Sequence, residues 1–592
     1  MLEAGCDMSG SGADSTLGKL LKRAAGFDRV VRFVGRGDGE TAYSYEDVYL
    51  RAAEVAAGLE RCGVRRGDRI GVNLPTSIEF YDAFFGISLA GAIPVPFYPP
   101  VRLGRLDEYH ARTAAMLQVS EARLVLTDRR VRRLLGKTVE RADLELGCLT
   151  TEEVAGGRQG ASLHRESSPQ DLALIQFSSG ATGAPKAVCL THRQVLSNVR
   201  AILRVIMGAY PETSGLQHSG VCWLPLYHDM GLIGCVFTAL MHPGDLTLIP
   251  PELFVARPGT WFRAISRHRA TVSPAPNFAY SLCVERIGDA ELEGVDLSSW
   301  RLALNGGEPV MASVLERFRT RFRRWGFREE ALTPVYGLAE AALAVTFSDP
   351  SRQYGVCCFD PEGLAAEGVA RPAREGKALV SVGKPLPGYE VRVVEEHGRD
   401  VAPTRVGRIL VRGPSVMQGY LGLADENGRV LHEGWLDTGD TGFFHEGELF
   451  IYGRAKDLIV LRGCNYAPQD IEQTLGALEG VRQGCCAAVG LVPEGGAGEE
   501  LFVFVERSRT RGPGGDARLA QAVARRIAEC TGLTGKVLIL EPGTLPRTSS
   551  GKIRRGETRE RYFAGKLLPP KAVTAWSLAS EMIRSKVALA RS

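Results

Sequence analysis

An apolar run from Leu172 to Phe177, followed at once by Ser178-Ser-Gly-Ala-Thr-Gly-Ala-Pro-Lys186, constrains this chain more than any other stretch. The run reads as a buried strand, and the segment after it reads as a loop. Its two glycines let backbone N–H groups approach a ligand closely and turn inward as a nest for anions. Ser178, Ser179 and Thr182 add hydroxyl donors, and Lys186 adds a mobile positive charge. The stretch therefore reads as a cradle for a polyphosphate. It is not the ordinary P-loop, which would need glycine where Pro185 stands and a hydroxyl where Ala187 stands. Taken alone, the loop also reads as a Gly/Ser-rich surface turn, so the rest of the chain must decide.

Upstream, Ser44 and Asp47 mark a helix start, with Val48, Ala52, Val55 and Leu59 on one face and Gly63 as the stop. A strand over Arg69–Leu74, a helix from Ser77 to about Ala90, and strands near Ile93–Phe97 and Arg123–Thr127 follow. This β-α-β rhythm calls for an α/β fold with mostly parallel sheets flanked by helices. Beyond the loop, Leu190–Met207 reads as a helix. Val221–Leu226 reads as a strand ending in Pro225-Leu-Tyr-His-Asp-Met-Gly231, which places His228 and Asp229 where open α/β sheets gather functional groups.

Four later motifs carry chemistry. Asn305-Gly-Gly-Glu308 breaks a strand into a glycine turn. Tyr336-Gly-Leu-Ala-Glu340 offers a ring able to stack on a base and a carboxylate able to hold a magnesium ion. Asp440, in Asp437-Thr-Gly-Asp440, and Arg454 supply an acceptor and a donor suited to a ribose diol. Finally, Pro546-Arg-Thr-Ser-Ser-Gly-Lys552 places a lysine behind a hydroxyl-rich glycine turn. Each motif singly also suits a plain turn; their order gives them weight.

Together these motifs resemble the adenylate-forming superfamily, and the forms around Pro94–Pro100, Thr271–Tyr280 and Gly463–Glu472 are similar to those of its fatty acyl-AMP ligases. The usual phosphate-loop pattern has a hydroxyl at the position of Ala181 and glycine at that of Ala187. The resemblance implies a large N-terminal adenylate-forming domain, 17–456, preceded by a tail, 1–16. A small mobile α+β domain, 457–567, hinged near Asp457, carries the catalytic lysine, and a tail, 568–592, ends the chain. It implies that Ser178, Ser179, Gly180, Thr182, Gly183 and Lys186 bind the phosphates of ATP. Asn305, Gly306, Gly307, Glu308, Tyr336, Gly337, Leu338 and Ala339 would border the adenine, Asp440 and Arg454 the ribose, and Glu340 with Thr182 would serve Mg2+. Lys552, His228 and Lys186 would be the catalytic side chains. Apolar and aromatic members of Thr271–Tyr280 would wall an acyl tunnel, or pack as plain core. The irregular stretch 348–377 resembles an insertion held to restrain rotation of the small domain, with a variable surface loop as the other reading. The activity implied is activation of a fatty acid as acyl-AMP for transfer to the phosphopantetheine of a separate acyl carrier protein. An acyl-CoA synthetase, an amino- or aryl-acid adenylation enzyme and a catalytically silent binding protein remain alternatives.

Composition adds exclusions. At 592 residues the chain calls for more than one domain. A net charge of +4 gives no whole-molecule field for nucleic acid. The basic cluster Arg129–Arg133 reads as a solvated helix face, with docking of an acidic carrier as the alternative. Thirteen cysteines without C-x-x-C spacing argue against zinc and against a disulfide framework, so a reducing cytoplasm is expected. No apolar run is long enough to span a membrane.

Overall fold

The computed structural model describes residues 15–37, 39–100, 103–156, 167–178, 185–211, 217–476, 478–493, 498–508, 515–548, 551–571 and 573–590. The first long helix, Tyr45–Arg61, starts where the sequence places it. Ser44 caps it, and Asp47 closes a capping box by accepting from the Ser44 backbone. Val48, Ala52, Val55 and Leu59 are all buried.

Two sheets build the large lobe's core. A nine-stranded sheet runs in the order 384–385, 344–347, 332–337, 302–305, 272–275, 220–222, 246–248, 30–34, 40–44. Its interior strands are parallel and its edge pairings antiparallel. Beside it lies a four-stranded, fully parallel sheet in the order 93–96, 69–73, 122–127, 148–150. Parallel strands buried on both faces read as near-continuous apolar runs, which is why these elements were legible without strict alternation.

Two boundaries differ from the sequence reading. Lys186–Thr191 is a strand, paired antiparallel with Leu172–Ser178, and the next helix starts at His192. Thr191 sets that start, since its hydroxyl accepts from Gln194 N in a reciprocal capping box. The strand near Val221 covers only Gly220–Cys222, because Pro225 soon ends regular pairing.

A five-stranded antiparallel sheet follows, made of 390–394, 407–412, 431–432, 435–445 and 448–454. The irregular stretch 348–377 is folded upon it. Val356–Phe359 pairs with Lys377–Val380, and Phe359, Leu364 and Ala370 share a small core with Phe443, Phe450 and Tyr452. Lys377 closes this unit, with its ammonium 2.6 Å from Asp470 and 4.3 Å above the Tyr452 ring. Since Asp470 lies in the helix Pro468–Thr474, the stretch is tied to the small lobe.

That lobe has its own core around the strands 481–491, 500–507 and 536–540 and the helix Asp516–Thr531. The chain after 568 is not a loose end. The helix Ala575–Leu589 docks on the helix Arg129–Ala142 of the large lobe. Ser585 Oγ accepts from Gly136 N at 2.7 Å, and Glu581 lies 2.9 Å from Lys137 Nζ. A Cβ on Gly136 would stand 2.0 Å from the Ser585 carbonyl oxygen, so only glycine admits this approach. Arg105 secures the path to the helix by donating to the carbonyls of Gly543, Thr544 and Leu568. The basic cluster at 129–133 is thus a helix flank, with Arg129 and Arg132 paired to Glu152 and Glu153. Every cysteine among the described residues is free, and no helix among them is long and apolar enough to cross a membrane.

His192 gives this architecture a pH dependence. Its buried Nδ1 accepts from Leu17 N at 3.2 Å, which requires a neutral ring. Burial pulls its pKa down to about 4. A histidine depressed in the folded state is protonated first in the unfolded chain, so its stabilisation is complete above about 6.5 and lost as pH falls toward about 4. The loss amounts to roughly 3 kcal/mol at most. Thermal unfolding of the parent and His192→Gln between pH 7.5 and 5 checks this: the gap between the two curves is expected to hold down to about pH 6.5 and to narrow below it.

Candidate active site between the lobes

A cleft of about 2410 Å³ runs between the two lobes. From the large lobe, Ser178, Lys186, His228, Gly306, Gly307 and Glu308 line it, and so do the segment Tyr336–Glu340, Asp440 and Arg454. From the small lobe comes Lys552. Residues spread over more than three hundred positions therefore meet in one space.

One corner is built on strand ends. Asp440 and Arg454 are register partners on adjacent antiparallel strands, and Arg454 Nε donates to Asp440 Oδ1 at 3.2 Å. Tyr336 OH donates to the other oxygen at 2.7 Å. Burial, then the Asp440 charge, push the Tyr336 phenol well above its usual range, so it stays a donor. Each carboxylate oxygen has a second lone pair for a further donor such as a sugar hydroxyl. Gly337 makes the corner possible: a Cβ there would lie 1.8 Å from the Leu343 oxygen. Leu338 N donates to that oxygen at 2.8 Å, closing a tight turn that carries Glu340.

A second corner surrounds the loop lysine. Ser178 and Lys186 are register partners that close the hairpin whose connection is the expected phosphate cradle. Ser179, Gly180, Thr182 and Gly183 lie outside the described residues. Ser178 Oγ is buried with no partner among the described residues. Ala187 is fully buried and paired with Phe177, so its departure from the glycine pattern falls in the strand rather than in the cradle.

The sequence reading missed two residues here. Lys186 Nζ pairs with Glu426 and stands 4.8 Å above the Tyr420 ring. Tyr420 OH donates to Glu340 Oε1 at 2.9 Å. Tyr420 and Glu426 thus link the loop lysine to the carboxylate assigned to magnesium. Tyr420 arrives through a two-residue strand pairing with Val188, too short for periodicity to reveal. Glu426 sits in the first turn of the helix Ala424–Val430, where an acid reads as an ordinary helix-dipole residue.

The third corner joins the lobes. Lys552 N donates to Thr548 Oγ1 at 3.0 Å and Lys552 O accepts from Thr548 N at 2.8 Å, with Gly551 at φ 91° between them. Burial lowers the Lys552 pKa, while the facing carboxylates Glu308, Asp229 and Asp440 oppose that drop. Burial raises Glu308, whose Oε1 accepts from Phe278 N at 2.5 Å. Burial works upward on Asp229 too, yet His228 and Lys552 hold it below the usual range. His228 Nδ1 contacts the Asp229 carboxylate directly. Asn305 has a different place. It is fully buried and donates to Asn277 Oδ1 at 3.3 Å, supporting the Gly306–Gly307 turn from behind.

The Thr271–Tyr280 stretch divides between its two expected fates. Phe278 reaches the cleft, together with Trp223 and Met230, and Trp223 stacks on Phe254 with centroids 3.9 Å apart. Tyr280 is core, its hydroxyl donating to the Leu304 carbonyl at 3.0 Å. No group of three or more His, Cys, Asp or Glu among the described residues forms a ready metal cage. Glu340 alone in a phosphate cleft still fits magnesium, which is held by one or two carboxylates with phosphate oxygens and water completing its shell.

The AMP-binding enzyme family matches residues 21–421, and the chain belongs to that family. A Caulobacter vibrioides (strain NA1000 / CB15N) protein, whose name proposes an acyl-CoA synthetase, is 34% identical over 544 residues, covering 90% of this chain and 92% of its own. The medium-chain-fatty-acid acyl-carrier-protein ligase JamA of Moorena producens (strain JHB) is 32% identical over 577 residues, covering 93% of this chain and 96% of its own. Among solved structures, one from work on fatty acyl-adenylate ligases of E. coli and L. pneumophila superposes with a TM-score of 0.86. It shares 34% identity and covers 93% of this chain and 98% of its own. The fold is the adenylate-forming one, and enzymes of this kind use ATP.

The Lys186–Glu426 pair sets up a competition, because a triphosphate at the loop must take the ammonium from a carboxylate. Removing that charge with Glu426→Gln is expected to lower the KM for ATP roughly two- to fivefold, in line with a partly exposed ion pair. The KM for the acid substrate should not move. Steady-state pyrophosphate release at varied ATP makes the comparison, and a raised KM would contradict it.

Proposed function

We propose that this protein activates a fatty acid as acyl-AMP, releasing pyrophosphate, and then passes the acyl group to the phosphopantetheine thiol of a separate acyl carrier protein. One observation carries the reading: Lys552 of the small lobe faces Glu308, Asp229 and Asp440 across the cleft that Lys186 also lines.

A carboxylate is a poor electrophile, and joining it to AMP supplies a leaving group. Its oxygen attacks the α-phosphorus of ATP, the bond to the bridging oxygen breaks, and pyrophosphate leaves. The protein's task is placement and neutralisation of developing charge. Lys186, Ser178 and the cradle hold the phosphates. Tyr336, Asp440 and Arg454 hold the nucleoside against the Gly306–Glu308 turn. His228, held by Asp229, borders the carboxylate being activated, and Trp223, Met230 and Phe278 offer an apolar wall for its chain. Lys552 bridges the acid and the α-phosphate. Its neighbouring carboxylates oppose the loss of its proton that burial favours, and burial strengthens the pull of its charge. Glu340, with Thr182 of the loop, would hold the magnesium ion, which would supply further neutralisation of phosphate charge when bound.

Domain boundaries at 17–456 and 457–567 fit this division of labour, with the 568–592 segment returning to the large lobe. Two ties oppose large rotation of the small lobe: Lys377 to Asp470, and the docked C-terminal helix. Both support a carrier protein over free CoA as the acceptor, as does the name of JamA. The acyl-CoA synthetase reading rests on the Caulobacter relative's name.

Pyrophosphate exchange with a panel of acids tests the first half-reaction. Lys552→Ala is expected to reduce exchange at least about a hundredfold and to lower the melting temperature as well, since Glu308 and Asp229 lose an opposing charge; exchange is therefore compared below the variant's own unfolding transition. Unchanged exchange would refute its role. With preformed acyl-AMP, transfer to holo-carrier is expected to outrun transfer to CoA, and the reverse ratio would favour a CoA synthetase.

A further inference from the structure

The helix Ala575–Leu589 is apolar on two faces, and only one of them is covered. Its inner face carries Ser585 and Ala588, both buried against the large lobe, with Leu589 packed on the core beside the four-stranded sheet. Its outer face carries Trp576, Ile583 and Val587, which are 81%, 65% and 46% exposed. At about 100° per residue these three side chains fall within roughly 40° of one another. Arg584 and Lys586, both exposed, flank the stripe on opposite sides, each about 80° from its centre. The helix has a single carboxylate, Glu581. It is turned inward, 2.9 Å from Lys137 Nζ and 3.3 Å from His110 Nε2. What the helix presents outward is therefore an apolar ridge with a cation on each side and no anion of its own.

From this arrangement we infer that the outer face of the C-terminal helix is a docking surface for an anionic phospholipid interface. A tryptophan and aliphatic side chains between two cations match a boundary where acyl chains meet negatively charged headgroups. Charge complementarity selects that occupant, because the flanking Arg584 and Lys586 would meet lipid phosphates while the ridge enters the acyl boundary. The contact is peripheral, since no described helix is long and apolar enough to span a membrane. It is also rigid, because Gly136–Ser585 and Lys137–Glu581 fix the helix to the large lobe. This inference goes beyond the adenylation reading and does not depend on it, because lipid binding is measured without turnover.

The test is flotation of the full chain with phosphatidylcholine vesicles, with and without phosphatidylglycerol. The expected result is binding to the anionic vesicles only. It should fall at least about tenfold in Trp576→Ser/Ile583→Ser and in Arg584→Glu/Lys586→Glu, while pyrophosphate exchange with a short, soluble acid stays at the parent level in both variants. Absence of parental binding to anionic vesicles would overturn the inference, and so would binding that survives both variants. Loss of acyl transfer to carrier protein with vesicle binding intact would also overturn it, by giving the surface to a protein partner.

Discussion

The structure depends on an electrostatic arrangement that neither lobe completes alone. The large lobe brings Glu308 and Asp229 to one cleft, where burial works to raise both carboxyl groups. The small lobe supplies Lys552, whose pKa burial lowers while those carboxylates work to raise it. Each side makes the other's charge tolerable, which is the condition under which buried charges persist. A second buried network reinforces this arrangement at the hinge, where Arg555 bridges Asp457 and Glu472 at 3.2 and 2.6 Å. Arg555 follows Lys552 by three positions, so a single guanidinium links the turn bearing Lys552 to Asp457.

The sequence made the interior of the fold legible wherever local chemistry and tertiary context agreed. Ser44 and Asp47 form the expected capping box, and Val48, Ala52, Val55 and Leu59 all face the core. It misled where pairing overrode composition. Leu190 and Thr191, read as the start of a helix, instead end the strand Lys186–Thr191 that pairs with Leu172–Ser178, because the hairpin satisfies their backbone groups first and Thr191 then caps the helix that begins at His192. The 348–377 stretch looked patternless because prolines and glycines interrupt it. Its order comes from partners distant in sequence, Phe443, Phe450 and Tyr452.

The site divides in the same manner. Residues within recognisable motifs, such as Lys186, Tyr336, Glu340, Asp440, Arg454 and Lys552, all reach the cleft. Asn305 belongs to a motif yet acts from behind, since a fully buried amide next to a glycine turn serves the backbone's shape more readily than a ligand. Tyr420 and Glu426 reach the cleft without any motif. A bond of 2.9 Å from Tyr420 to Glu340 and the ion pair from Glu426 to Lys186 exist only because a two-residue strand closes the edge of the hairpin. No local pattern encodes such a contact.

The ties that hold the small lobe are distributed unevenly, and that distribution bears on how the second half-reaction proceeds. Lys377–Asp470 joins the 348–377 stretch to the helix Pro468–Thr474, early in the small lobe. The C-terminal helix grips the large lobe far along the chain, through a glycine that tolerates no side chain, and Arg105 of the large lobe holds the carbonyls of Gly543 and Thr544 in the small lobe and of Leu568 on the approach to the helix. Rotation of the small lobe must stretch or release the short connection between Phe563 and Thr574, the last segment before that grip. The proposed second half-reaction must either run with these contacts intact or break them.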